Sequence, residues 1–243
     1  IDAVAETVTD LSEALAAGND VLLANNIAVA KADAGSNGYG ATGISQLNGG
    51  TIDGQGNSIS VDAWTTWDSA INTTGGTIKN LNVTGGMRGI FVNHNSTNNS
   101  KVILENVTID GTVYTISCDQ GLYQTIEATN CTFNGWTSFA ETIGEIKFNN
   151  CSFGMGAGYK TCVPYRPTTF TNCEFCANFD MNRFMDGSVI EEPIGGMFCI
   201  WADYPGAETE QQVGANIRLV LRAMALGMEG LDLDGMNTAV VPG

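Results

Sequence analysis

The chain has 243 residues, 26 acidic against 10 basic, giving a formal charge of −16, with 43% hydrophobic and only 15% charged residues. This balance excludes a disordered acidic chain and predicts a packed core, while the negative field excludes nucleic acid, heparin-like polymers and anionic membranes as partners. Membrane insertion is not expected either, because the longest apolar candidate, Ile194 to Ala202, has 9 residues and two glycines, short of the roughly 18 that a span needs.

The chain starts at Ile1 with neither an initiator methionine nor a signal peptide, as expected of a processed start or a piece of something larger. Residues 1–18 read as a helix. Asp10 and Glu13 have capping-box spacing, and Leu11, Ala14 and Leu15 form an apolar stripe that ends at Gly18. A strand follows over Asp20 to Ala24, so residues 1–25 are expected to be a helical cap and first strand covering an otherwise open sheet edge. Residues 31–50 are rich in Gly, Ala and Ser and aperiodic, which predicts a long loop suited to lining a site.

Beyond Thr51 a phrase recurs. Its clearest copies are Asn130-Cys131-Thr132-Phe133, Asn150-Cys151-Ser152-Phe153 and Asn172-Cys173-Glu174-Phe175, with asparagines 20 and 22 residues apart. Weaker copies lie upstream at Asn106-Val107 and Asn80-Leu81, and Gly56-Asn57 is an earlier turn shifted by one residue. Each asparagine follows an alternating apolar strand, such as Ile126/Ala128 or Ile146/Phe148. A period of 20 to 26 residues carrying period-2 strands predicts a solenoid, in which stacked coils build one core. The asparagine has a physical reason to recur, since a one-residue bend between strands favours a residue that tolerates left-handed backbone angles, and stacked amides can bond to one another along the ladder. With the corner set, Cys131 and Phe133, and their equivalents in the other coils, face the interior. Asn72, Asn82, Asn95, Asn98, Asn106, Asn130 and Asn150 stand in Asn-x-Ser/Thr sequons, and these are read as corner chemistry rather than glycosylation.

Residues 62–75 and 84–100 are too long for tight corners and carry the candidate glycan-binding side chains: Trp64, Trp67, Arg88 and His94. Trp136 is read as packing. Seven cysteines, at 118, 131, 151, 162, 173, 176 and 199, leave at least one unpaired. The three at the repeating interior position are expected to be small apolar fillers, and no metal site or cofactor is expected, because Cys173-Glu-Phe-Cys176 lacks a second CxxC or a histidine pair. After Phe175 the rhythm weakens. Met197 to Trp201 reads as a buried strand, and Val213, Ile217, Val220, Leu221, Met224 and Met228 form the stripe of a helix over Glu208 to Met228. Asp232, Asp234 and Asn237 around Gly235 are a faint and incomplete calcium loop.

The repeat resembles the right-handed parallel β-helix of the pectate-lyase-like superfamily over about residues 26–200. The resemblance implies an all-β fold: a single-stranded right-handed solenoid over 26–202, the helical cap before it, and a C-terminal helical segment over 203–243. In enzymes of that fold the substrate groove lies along one sheet, flanked by loops. Lyases use an Arg or Lys beside calcium, and hydrolases a cluster of aspartates with a histidine; His94 is the only histidine and Arg88 has no adjacent carboxylate pair. Met197 to Pro205, followed by Ala207 to Glu210 and the helix, also resembles the last strand, tryptophan and last helix of a glycoside hydrolase family 20 hexosaminidase, which implies a sugar-walling role for Trp201, but the Asp-Glu pair of that family is absent.

The expectation is therefore a non-catalytic module of an exported or cell-surface bacterial protein, with no catalytic residues and with carbohydrate as its partner. The low charge and thirty glycines fit an exported solenoid. A polysaccharide lyase or hydrolase acting near Trp64, Trp67, Arg88 and His94, and a structural fibre or phage-type spike, are the alternatives.

Overall fold

The computed structural model describes residues 1–36, 38–62, 68–93, 101–118, 125–139, 145–154, 162–163, 168–175, 189–191, 198–199 and 231–232. In chain order they form β1 (Ala3–Ala5), α1 (Val8–Ala16), β2 (Val21–Leu23), β3 (Ile27–Val29), a 3₁₀ turn (Lys31–Asp33), β4 (Gly35–Ser36), β5 (Ala41–Gln46), β6 (Thr51–Asp53) and β7 (Ser58–Val61). The central coils follow: β8 (Ser69–Thr73), β9 (Gly76–Thr84), β10 (Arg88–Val92), β11 (Lys101–Asp110), β12 (Tyr114–Cys118), β13 (Thr125–Thr129), β14 (Thr132–Asn134) and β15 (Trp136–Phe139). The last are β16 (Ile146–Asn149), β17 (Ser152–Gly154), β18 (Cys162–Val163), β19 (Thr168–Thr171), β20 (Glu174–Phe175), β21 (Val189–Glu191), β22 (Phe198–Cys199) and β23 (Leu231–Asp232).

These strands wind into a parallel β-solenoid. The larger sheet runs β1-β2-β6-β9-β11-β13-β16-β19-β21, with β3, β7, β14, β17 and β20 beside that path. The second sheet runs β18-β15-β12-β10-β8-β5-β4. Among the described residues only β4 and β5 pair antiparallel. Register follows the sequence repeat: Ile126 pairs with Ile146 and Ile146 with Thr168, while Phe133 pairs with Phe153 and Phe153 with Phe175.

The corners are where the sequence places them. Asn80, Asn106, Asn130, Asn150 and Asn172 have φ of 51, 54, 56, 53 and 50°, the left-handed region that ordinary L-residues avoid at about 1–2 kcal/mol each. Gln55 (φ 52°) and Gly56 (φ 84°) take the earlier corner. There Asp53 is in register with Lys79 and Ser58 with Asn82, so this turn holds two extra residues, which is why the phrase looked shifted at Asn57. Part of the amide ladder is hydrogen-bonded: Asn106 Nδ2 donates to Asn80 Oδ1 at 3.0 Å, and Asn80 Nδ2 to Asp53 Oδ1 at 3.0 Å.

Inside the corners the core changes character along the axis. Ile52, Ile78, Leu104, Ala128, Phe148 and Phe170 occupy one column, by pairwise register. Where the coils shorten, aromatic rings take over. Phe148 and Phe170 stack at 5.4 Å, and Phe153 meets Phe148 edge-on at 5.0 Å. Each buried ring contributes about 1.5–3 kcal/mol, and the space left beside the rings at each corner suits a small group. Cys131, Cys151 and Cys173 fill it as buried free thiols, as the reading of these residues as fillers expected. Their sulfurs lie near carbonyls: Cys131 Sγ is 3.3 Å from Thr129 O and Cys151 Sγ 3.4 Å from Asn149 O.

The N-terminal helix is shorter than expected, and its cap lies elsewhere. Thr7, not Asp10, is the N-cap: its hydroxyl accepts from Asp10 N at 3.2 Å, while Asp10 Oδ2 accepts from Thr7 N at 3.0 Å. The Thr7 hydroxyl, followed by the Glu6 and Thr7 amides, holds the Asp10 carboxyl below its ordinary value. Residues 3–5 are strand β1, because Ala5 is needed in the core. Leu11, Ala14 and Leu15 are buried, as their spacing predicted.

The expected loops 31–50, 62–75 and 84–100 need correction, since each holds a strand of the second sheet: β5, β8 and β10. All five residues of β8 and of β10 are buried, and a strand covered on both faces shows no alternation. Gly43 lets β5 lie close to β8, for a Cβ there would fall 2.7 Å from the Ala70 carbonyl oxygen. At the other end, β22 pairs in parallel with β23. The helix expected over Glu208 to Met228, Trp201, and Asp234 to Asn237 lie outside the described residues. Among the described residues no helix is long and apolar enough to cross a membrane.

Two outcomes follow from the corners and the thiols. Asn130 is exposed, so a change there tests backbone conformation alone. Asn130→Val is expected to lose about 1–2 kcal/mol in urea unfolding, and Asn130→Gly less than about 1 kcal/mol; equal losses would contradict the left-handed corner. The contact with Cys151, together with burial, pushes the Cys131 thiol far above its ordinary value of 9.0. For Cys151 the contact with Cys131 acts downwards, but the contact with Cys173 and burial outweigh it and push it up to about 12. Brief alkylation of native protein at pH 8, read by peptide mass mapping, is therefore expected to spare Cys131 and Cys151 until denaturant is added, and Cys173 is expected to be spared by its burial.

Candidate functional site

The outward side of the larger sheet is built from columns that the register aligns. One runs Ser58, Asn82, Thr108, Thr132, Ser152 and Glu174, mostly short hydroxyls and amides about 4.8 Å apart. Three lysines on this side each face a carboxylate: Lys79 with Asp53 at 3.5 Å, Lys101 with Glu127, and Lys147 with Glu145 at 2.9 Å. The most constrained of these carboxylates is Asp53, only 7% exposed. Its Oδ1 accepts from Gln55 N at 3.1 Å and from the Asn80 amide at 3.0 Å. Burial alone raises its pKa, but the Asn80 amide, the Gln55 N–H and the Lys79 ammonium outweigh burial and hold the carboxyl below 3.8.

The second sheet carries a different column. Thr42, Ser69, Arg88, Tyr114 and Trp136 follow one another in register. The hydroxyls of Thr42 and Ser69 hydrogen-bond at 2.9 Å, and the rings of Tyr114 and Trp136 stack at 4.8 Å. Arg88 is the one candidate glycan-binding residue that lies among the described residues. It is 2% exposed, with its guanidinium 4.4 Å from the centroid of the Phe91 ring. Trp136, 7% exposed, packs as its reading expected. Trp64, Trp67 and His94 lie outside the described residues; the segments that contain them, 63–67 and 94–100, directly precede Asp68 and follow Asn93.

Phe91 itself is fully buried although it stands apart from the main core cluster. It is covered from outside. Tyr39 meets its ring edge-on at 5.7 Å, and the segment bearing Tyr39 is tied down at Asp68. Lys31 Nζ donates to Asp68 Oδ2 at 3.1 Å, the Ala41 amide donates to Asp68 Oδ1 at 2.7 Å, and the Asp68 carbonyl accepts from Arg88 N at 3.0 Å. Residues 31–36 and 38–41 thus form a strap at the edge of the second sheet, with a 95% buried carboxylate as its anchor. Sequence reasoning picked Arg88 and passed over Lys31, Tyr39 and Phe91. The run Gly89-Ile90-Phe91-Val92 was the available sign of a buried strand, but nothing in the sequence links Lys31 to Asp68.

No protein-family model matches the chain, and no curated protein or solved structure matches it either.

The Asp53 network has a defined pH signature. Because its folded pKa is depressed, the stabilisation is present above the ordinary carboxyl value of 3.8 and is lost as pH falls through the lower folded value. Asp53→Asn is expected to lower stability at pH 7 by about 1 kcal/mol, with the gap from the parent protein closing below pH 4 in denaturant titrations. A gap that widened on acidification would contradict the assignment.

Proposed function

We propose that this chain is a non-catalytic β-solenoid module of an exported or cell-surface protein that presents its loops toward neutral glycans. The observation carrying the reading is the outward side of the larger sheet, where hydroxyls and amides are aligned in columns and the lysines are matched to carboxylates. Hydroxyl and amide groups exchange hydrogen bonds with sugar hydroxyls in either direction, whereas acid/base chemistry requires ionisable groups left uncommitted and poised. The formal charge of −16 supports neutral rather than anionic polymers. The likeness of the coil to pectate-lyase-like β-helices supports the same setting, as that architecture serves adhesins and ancillary modules as well as enzymes. In this reading Trp64, Trp67 and His94 belong to the glycan-contacting loops, and buried Arg88 steadies the sheet from which they spring.

The test is a glycan-array screen combined with a polysaccharide-degradation assay, with and without calcium. The reading predicts micromolar-to-millimolar binding without product release, weakened by Trp64→Ala or Trp67→Ala. Released oligosaccharide would make the chain an enzyme and overturn it, and silence in both assays would favour a structural spacer or spike.

A further inference from the structure

A second place for a sugar lies away from those loops. Helix α1, strand β5 and the strap enclose a cleft of about 290 Å³, at the lower end of the roughly 300–1,000 Å³ typical of small-molecule sites. Its walls mix the two kinds of surface that a sugar ring presents. Leu47 supplies the apolar part, backed by the buried Leu15, and is 47% exposed, one of few large apolar side chains left open among the described residues. Ser12, Asp33 and Ser45 supply the polar part.

Among the described residues, none of these three polar side chains hydrogen-bonds to the protein, so all can serve a ligand. The walls are held in place. Asn48 Nδ2 donates to Ala16 O at 2.8 Å, bracing the end of α1 against the chain leaving β5, and Lys31 and Ala41 on either side of the strap are both anchored on Asp68. The Asn48 side-chain oxygen is left to accept from a ligand. A wall set before binding lowers the ordering cost of association.

We propose that this cleft binds a single neutral hexose unit, with the Asp33 carboxylate accepting from adjacent ring hydroxyls, Ser12 and Ser45 completing the polar contacts, and the C–H face resting on Leu47. The ligand class rests on the neutral-glycan reading above; the position of the site does not. Among the described residues Asp33 is the only charged side chain lining the cleft, so a uronic acid would be repelled and a neutral ring accepted.

The experiment is a titration of the full chain with glucose, galactose, mannose and N-acetylglucosamine, followed by amide chemical shifts in NMR. The inference predicts that at least one of them shifts Ser12, Ser45 and Asn48 together. Asp33→Ala should weaken that sugar about tenfold or more, the loss of a hydrogen bond to a charged group, as should Leu47→Ser, with circular dichroism unchanged for both. Glucuronate should leave the same amides unmoved. Binding that survives both substitutions but is lost on Trp64→Ala would overturn the cleft while leaving the glycan-binding module standing. No shift in the cleft with any of the four sugars would overturn the cleft, whatever the glycan array shows.

Discussion

Everything in this solenoid depends on one backbone constraint, a left-handed residue at each corner. At Asn80, Asn106, Asn130, Asn150 and Asn172 the chain bends within a single residue, so that pairing continues on both sides of the bend. In β9 and β11 the strand runs through the corner without a break. In the later coils it resumes two residues on, as β14, β17 and β20. A wider corner would shift the register, and a one-residue slip turns every interior side chain outward. The two extra residues at Gln55 and Gly56 are tolerated because they bulge at the corner and leave the flanking pairs of Asp53 and Ser58 in place.

From that constraint the core and the outer surface both follow. Equivalent residues of successive coils are stacked, so one substitution pattern repeated along the chain becomes a continuous column. Inside, the columns pass from Ile and Leu to Phe and Cys as the coils shorten, and the small thiol makes room for the ring beside it. Outside, the same stacking aligns hydroxyls, amides and ion pairs. The second sheet departs from this scheme around Phe91, where Tyr39 of the strap anchored on Asp68 meets the ring edge-on and the Arg88 guanidinium lies over it.

How much of this was legible in the sequence depended on whether a segment had one buried face or two. The strands around Asn130, Asn150 and Asn172 alternate cleanly and repeat closely, so their register, corners and interior cysteines could all be read from spacing. Ser69 to Thr73 is buried throughout and polar in part, and such a strand resembles a loop until its coverings are known. The same cause hid β5 and β10. Thr7 was passed over as the helix cap because Asp10 and Glu13 offer identical spacing, and only the extended backbone at Thr7 separates them. The candidate site divided along the same line: Arg88 was visible as a charge, but its place over the buried Phe91 ring and beside Asp68, which Lys31 holds from 37 residues away, was not.

The most direct measurement is the backbone conformation of the five corner asparagines in solution, from one-bond Cα–Hα couplings and intraresidue amide-to-Hα contacts in NMR. The account predicts left-handed values at Asn80, Asn106, Asn130, Asn150 and Asn172 alike, with extended values at the residues on either side. Extended or right-handed values at these asparagines would mean that the coils turn in some other way, and the columns that depend on the turn would not form.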